Sequence, residues 1–376
     1  MAINISNVSD LYAAVNDPAN AGKRIVLAPD IYKLRAINPD GSVNPNAGRL
    51  ELQHDMELRG QKNHSHLVTI DASQLPDTSF KPPAVSGAPL KTGPIRLGRG
   101  SNAVEWLTIL GNPSPLALSA IDTDLPSDKA DVKITNVIIK ESQIGIDIRN
   151  FGVNSVGRII KAEIHNNELM GNLVGAGQGI IIQNSNGAKG SIIEVNMSKN
   201  NIYGNRIGCR IWNLASLGTD TDANSITIQC DDDQFNGNGV GIFISAGAGT
   251  QLNAGAKENF ISLKTKDTSI LNNGNNPLLN QMDPKQPVGG ICIVGGLSVV
   301  MANTINNNKV EIKFHETKIT GNAPIDINAY GAYSYTVNLA GTQNEIEFHG
   351  GIQQSNVSAT LSFPGEPAMT NNIVFV

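Results

Sequence analysis

The sequence predicts an all-β fold, a single parallel β-helix that winds as one solenoid domain over residues 1–376. Three observations predict it. An apolar residue followed three positions later by Asn or Ser recurs at Ile109/Asn112, Ile139/Ser142, Leu169/Asn172, Ile202/Asn205, Phe235/Asn238, Ile270/Asn273, Ile319/Asn322 and Ile352/Ser355. The steps are 30, 30, 33, 33, 35, 49 and 33 residues. Short segments alternate apolar and polar residues around each pair, the period of a strand with one face inward. No segment after Val15 keeps a helical period, and strands without crossover helices exclude Rossmann and TIM architectures. A unit that returns to the same angular position after about 33 residues is one coil of a solenoid. Like residues of successive coils then stack about 4.8 Å apart, and eight coils span on the order of 40 Å.

Each coil reads as three short strands. The first precedes the anchor and carries an apolar pair: Val132/Ile134, Ala162/Ile164, Val195/Met197, Ile228/Cys230, Leu263/Thr265 and Ile312/Phe314, with Ile346/Phe348 slipped by one in the last repeat. The second holds the anchor itself. The third follows the Asn: GIDIRN, GIIIQN, GCRIWN, GIFISA, GICIVG and PIDINA. Regular coils occupy 100–376. The one long step contains NNPLLNQMDPKQPV, an inserted loop at 275–288. The Asn residues are corner posts. Asn tolerates the left-handed region better than most residues, and stacked amides bond up a column as an asparagine ladder.

This pattern resembles the right-handed parallel β-helix superfamily, whose best-known members are pectate-lyase-like. The handedness is an implication of that resemblance. The opening VSDLYAAVNDPANAGKRIVLAPDIYKL is similar to the superfamily's first coil. It reads as a short amphipathic helix capped by Ser9 or Asp10, then the strand KRIVLA, then a turn at Pro29-Asp30, so residues 1–35 form an N-terminal cap and opening coil. RLELQHDMELRGQ, VTIDASQL and IRLGRGSNAVEWLTILGN resemble the first full coils. Enzymes of this superfamily usually act on acidic or neutral polysaccharides in a groove along one outer sheet face. Their local motifs are absent: CDDDQF offers adjacent acids without the paired-Asp, His-Gly, Arg-Ile-Lys series, and no Arg-x-Pro-x-x-Arg occurs.

Bulk composition narrows the partners. A net charge of −5 without a basic cluster argues against nucleic acid. No run of eighteen apolar residues spans a membrane. MAINISNVSD has neither the charged nor the apolar region of a signal peptide. Location is therefore open between the cytoplasm and, if a leader has been removed, an exported or surface site. NNIVFV ends on a strand with no helical cap, an edge that a second copy of the chain could cover.

The third strands suggest a site. Their inward column reads Ile146, Ile180, Cys209, Ile242, Ile291 and Ile325. One outward column reads Asp147, Ile181, Arg210, Phe243, Cys292 and Asp326, and the next reads Arg149, Gln183, Trp212, Ser245, Val294 and Asn328. Arg210, Arg149 and Asp147 are candidate catalytic groups, with Trp212, Gln183 and Phe243 as candidate substrate contacts. Arg binds a sugar carboxylate through a fork, and an aromatic face stacks on a sugar ring. In a lyase a base takes the proton alpha to a carboxylate that a cation stabilises. The alternative is a Trp packed under a loop with Arg stacked on it.

Asp231, Asp232 and Asp233, with Asp220 and Asp222 nearby, form a second candidate. They could collect Ca²⁺ (the one cofactor the sequence suggests), make a solvated turn, or supply the acid and base of a hydrolase. Cys209 and Cys230 read as buried small hydrophobes, and Cys292 as the outward, testable thiol. Two functions follow: a lyase or hydrolase acting on a poly- or oligosaccharide at the Arg210/Trp212 face, or a non-catalytic binding, adhesin-like or assembly solenoid.

Overall fold

Three faces of parallel strands wind around one apolar core in the computed structural model. The structure describes residues 2–81, 91–123, 127–171, 177–250, 254–276, 278–279, 288–299, 304–334, 342–350, 357–363 and 371–376. The first face includes Ile159–His165, Ile192–Ser198, Ser225–Asp231, Phe260–Lys266, Lys309–His315 and Glu345–His349. The second includes Glu168–Met170, Asn201–Tyr203, Gln234–Asn236, Ser269–Leu271 and Lys318–Thr320. The long strands Ser101–Leu110 and Lys129–Lys140 run through both, so the two faces form one continuous sheet. The third face is a separate ten-stranded sheet that includes Ile144–Phe151, Gln178–Ser185, Ile207–Ala215, Val240–Gly249, Gly289–Ser298 and Ile327–Ser334. Each coil is a parallel crossover within one sheet, a connection that is right-handed in nearly all folds.

The anchors stack as the repeat requires. Ile109, Ile139, Leu169, Ile202, Phe235, Ile270 and Ile319 follow one another in register. Two boundaries differ from the sequence reading. Phe348 stands over Ile312 and Ile346 over Val310, because Asn344 holds the ladder position above Asn308 and sets the register. On the third face Ile327 pairs with Ile291, Asn328 with Cys292 and Tyr330 with Val294, two residues later than PIDINA implied. The cause is Asp326. Its carboxylate accepts from Asn322 N (3.3 Å) and Nδ2 (2.8 Å), which ends a ladder and delays the strand. The anchor Ile352/Ser355, and most of the insertion expected at 275–288, lie outside the described residues.

The corners are built from a dipeptide: a residue with positive φ, then a ladder Asn. Gly204, Gly237, Asn272 and Gly321 (φ 67, 63, 55 and 71°) precede Asn205, Asn238, Asn273 and Asn322. Asn166 and Lys199 (φ 54 and 55°) precede Asn167 and Asn200. Ala223, Glu258, Asn307 and Gln343 (φ 54–58°) precede Asn224, Asn259, Asn308 and Asn344. So the ladder Asn is not itself the left-handed residue, and the turn strain sits one position earlier. Where an Asn stands one coil below, the next Asn Oδ1 accepts its backbone N–H and its Nδ2, whereas Asn167 and Asn224 accept from Val137 N and Ser191 N. For Asn238 and Asn205 these bonds are 3.0 and 3.2 Å. The amide then donates to a strand carbonyl, Ile202 O at 2.9 Å for Asn238. Backbone groups that the corner withdraws from the sheet are thereby satisfied.

The glycine that opens the third strands has a steric cause. A Cβ on Gly208 would lie 2.6 Å from Gly241 O and 3.2 Å from the Phe235 ring, so only Gly lets adjacent coils close there. At the N-terminal end, helix Val8–Asn16 starts at Asn7, whose Oδ1 accepts from Asp10 N at 2.9 Å. This moves the cap from Ser9 or Asp10 to a residue with extended φ. The helix buries Leu11, Tyr12, Ala14 and Val15 in the main core. Among the described residues no helix is long and apolar enough to cross a membrane.

Candidate functional site

All six candidates on the third face meet, and they meet in the interior. Arg149 Nη1 lies 3.2 Å from Asp147 Oδ2, and its Nη2 lies 3.8 Å from Asp122 Oδ2 and donates to Thr92 Oγ1. Gln183 Nε2 donates to both Asp147 oxygens (3.0 and 3.3 Å), and Trp212 Nε1 donates to Gln183 Oε1 at 3.1 Å. The Arg210 guanidinium sits 4.6 Å from the Trp212 ring centroid and 5.4 Å from that of Phe243. Asp147 is 1 % exposed, Arg149 3 % and Arg210 8 %. Burial raises the Asp147 carboxyl above the usual carboxylate range, against the pull of Arg149 and Gln183. The outward columns are thus covered. Phe243, Cys292, Val294, Leu297 and Tyr333 form a second apolar cluster outside the sheet, with Trp212 packed against it. A buried ion network of this kind fixes packing, and Trp212 is its half-buried member.

Cys292 shares that burial. It points outward, yet it is 0 % exposed, and burial pushes its thiol up. Cys209 and Cys230 are buried free thiols of the main core. We expect none of the three to react with a water-soluble disulfide reagent in the folded protein, and all three to react in denaturant. One rapid equivalent from native protein contradicts this.

The acids 231–233 face different ways. Asp231 is exposed, 4.0 Å from Lys266. Asp232 is a corner residue (φ 59°). Asp233 is fully buried in a ladder position, where its Oδ1 accepts from Asn200 N (2.9 Å) and Nδ2 (2.8 Å). Among the described residues no group of three or more His, Cys, Asp or Glu could hold a metal ion. Asn167 and Asn200, two coils and one coil below, donate their Nδ2 to Ile134 O and Ile164 O. As a carboxylate Asp233 has no donor for that job, and its Oδ2 makes no hydrogen bond to a strand carbonyl.

Burial pushes the Asp233 carboxyl from 3.8 up to about 7, against the pull of Asn200. The folded state then holds a proton that the unfolded chain releases. This contribution is full below about pH 4 and fades as pH rises to about 7. Asp233→Asn should therefore match the parent at pH 4 and exceed it at pH 8, by up to roughly 4 kcal/mol. Urea midpoints at the two pH values test this. A pH-independent difference removes the ladder carboxyl as the cause.

The outward side of the first face is open. A trough of about 440 Å³ lies over it, lined among others by Glu57, Asp131, Lys133, Lys161, Glu163 and Glu194. Parallel register builds the lining. Lys133, Glu163, Asn196, Gln229, Lys264, Lys313 and His349 form one outward row, and Thr135, His165, Ser198, Asp231, Lys266 and His315 the next. Lys133 Nζ is 3.0 Å from a Glu105 oxygen, and Lys161 Nζ is 3.2 Å from Glu194. His165 stands beside this trough with Nδ1 2.8 Å from Ser198 Oγ and Nε2 3.9 Å from Glu163 Oε2. Burial lowers its pKa below the usual imidazole value and the Lys133 charge adds to this, while Glu163 opposes. The ring is therefore largely neutral at pH 7. In the tautomer whose Nδ1–H donates to Ser198, Nε2 is a proton acceptor. The alternation Lys161, Glu163, His165 carries this signal in the sequence.

No family model matches the chain, and no curated protein matches it. Solved structures do. The A-module of mannuronan C-5 epimerase AlgE4 from Azotobacter vinelandii is 14 % identical over 98 % of this chain and 97 % of its own, with a TM-score of 0.37. The Agl-KA catalytic domain is 15 % identical over 99 % and 68 %, with a TM-score of 0.40. An alginate lyase from Paenibacillus sp. str. FPU-7 is 13 % identical over 100 % and 99 %, with a TM-score of 0.31. The likeness is one of overall architecture and says nothing of activity.

Proposed function

We propose that the chain is a polysaccharide-acting enzyme whose groove is the open outward side of the first face, with His165 as the proton acceptor. One observation carries this reading: a largely neutral imidazole, within hydrogen-bond distance of Ser198, stands 3.9 Å from Glu163, which lines the trough together with Lys133 and Lys161. Those groups suit elimination on an acidic sugar. The ammoniums stabilise the carboxylate, and Nε2 takes the proton alpha to it. The ring C–O bond to the next sugar then breaks, a C=C forms, and the departing oxygen takes a proton from solvent. Helix Val8–Asn16 closes the N-terminal end of the solenoid in this reading. Ca²⁺ remains an optional addition to the assay.

A second reading is favoured by the length of the open face. Beyond the trough, Gln229, Lys264 and Lys313 continue the row at the strand interval, which suits a non-catalytic glycan-binding solenoid. A polysaccharide panel, with and without Ca²⁺, separates the two. Ultraviolet absorbance from unsaturated product, or new reducing ends, supports the enzyme. Silence on both signals with retained binding to a glycan array overturns it in favour of the binding protein.

A further inference from the structure

The corner between the first and second faces carries an aromatic residue that the turn does not require. Trp106 holds the left-handed corner position (φ 58°), which Asn136, Asn166 and Lys199 fill in the next three coils (φ 58, 54 and 55°). Asn accepts this conformation more readily than most residues, and a bulky side chain is strained there. Core packing does not account for the choice, because Trp106 is only half-buried. The turn is nonetheless held firmly. Gly60 N donates to Glu105 O at 2.8 Å, and a Cβ on Gly60 would lie 1.9 Å from Trp106 O. Strain that the surrounding chain holds in place concentrates at ligand clamps. Trp106 lines a hollow of about 360 Å³, together with Asn136, Asn166, Glu168, Lys199 and Asn201 among others, and none of its lining residues lines the trough. Glu168 and Lys199 carry opposite charges, and Glu168 Oε1 accepts from Tyr203 OH at 2.7 Å. The remaining polar lining is mostly amide. Asn166 Nδ2 donates to Asn136 Oδ1, which leaves Asn136 Nδ2 as a donor and Asn166 Oδ1 as an acceptor. Asn201 is exposed, and among the described residues no hydrogen bond uses its side chain or the Trp106 indole N–H. An indole offers an apolar surface to the C–H face of a sugar ring, and amides match hydroxyls with both donors and acceptors.

We propose that this corner is a binding subsite for a neutral oligosaccharide, with Trp106 as the stacking platform and Asn136, Asn166 and Asn201 bonding the sugar hydroxyls. The subsite does not rest on the activity proposed for the trough, and binding alone reads it. The chain has two tryptophans, Trp106 and Trp212, so Trp212→Phe leaves Trp106 as the fluorescent reporter. Its emission is titrated with cellotetraose, mannotetraose and xylotetraose, with a uronic acid tetramer as the charged control, and calorimetry on the parent protein repeats the series. We expect saturable binding of at least one neutral probe, tighter than that of the uronate. Trp106→Asn should bind the same probe at least about tenfold more weakly, as loss of a stacked aromatic surface predicts, yet melt no lower than the parent, because Asn suits the turn. Asn201→Ala should melt like the parent and bind roughly three- to tenfold more weakly, the usual effect of one neutral hydrogen bond. Silence with every neutral probe overturns the subsite, as does a response to the uronate alone. Parental affinity in Trp106→Asn, or in Asn201→Ala, overturns it too. Should Trp106→Asn fail to fold, the emission titration and Asn201→Ala decide between the same outcomes.

Discussion

Asn238→Ala should lower the stability of the folded chain by roughly 3–5 kcal/mol, while Asn236→Ala, two residues earlier, should change it by less than about 0.5 kcal/mol. The two residues share a side-chain type and a strand end. Asn236 is exposed and accepts one long bond of 3.3 Å from Asn272. Asn238 is fully buried and serves four partners: Asn205 N, Asn205 Nδ2, Asn273 Oδ1 and Ile202 O. Truncation strands the Asn205 amide N–H and the Ile202 carbonyl in the core, each a penalty of about 1–3 kcal/mol. It also leaves a cavity beside Gly208, whose absent side chain depends on the Asn238 amide 3.1 Å from its Cβ position. Against a typical total stability of about 5–15 kcal/mol, such a loss is large. Urea denaturation of the two variants measures it. Equal midpoints would mean that the amide column decorates the corners without holding them.

The second large effect is catalytic. His165→Gln should lower turnover by about 10²–10⁴, the usual contribution of a positioned acid–base group, with little change in KM. Gln keeps a hydrogen-bonding group near Ser198 and cannot accept the substrate proton. Under the proposed mechanism the parent protein should lose rate as pH falls below 6.5, because protonation of the imidazole removes the acceptor. Burial and Lys133 place that loss on the acid side of the ordinary imidazole value. Replacing Lys133 by Met should move the same limb toward higher pH, since a like charge leaves the ring's surroundings. A limb that stays in place in that variant, or a Gln variant with parental turnover, removes His165 from the chemistry.

The architecture was legible because it is periodic. Anchors such as Ile202 and Phe235 recur with their Asn partners, and the structure stacks them as the spacing demands. The direction of third-strand side chains was legible too, and Arg210, Trp212, Gln183, Arg149 and Asp147 do come together. Their burial was not. Alternation tells which side of its own sheet a residue takes, and says nothing of whether aperiodic chain lies over that side. Cys292 is the plainest case: outward, yet wholly enclosed. Asp233 was misread with Asp231 and Asp232 because adjacency in sequence suggested a shared environment. The pairs Asn166-Asn167, Lys199-Asn200 and Asp232-Asp233 recur 33 residues apart and mark it as a ladder position. His165 sat in plain alternation with Lys161 and Glu163, on a first strand that was read for its inward pair alone.

The proposed working surface is the open first face, and a structural role is proposed for the Arg210–Trp212 group. Side-by-side turnover of His165→Gln and Arg210→Ala, on one polysaccharide that the parent protein cleaves, is the most direct test. Arg210→Ala should unfold at a lower temperature, by loss of its stacking on Trp212 and Phe243, and should retain parental turnover while folded. His165→Gln should melt like the parent and be nearly inactive. An inactive, fully folded Arg210→Ala beside an active His165→Gln contradicts the account and returns the chemistry to the third face.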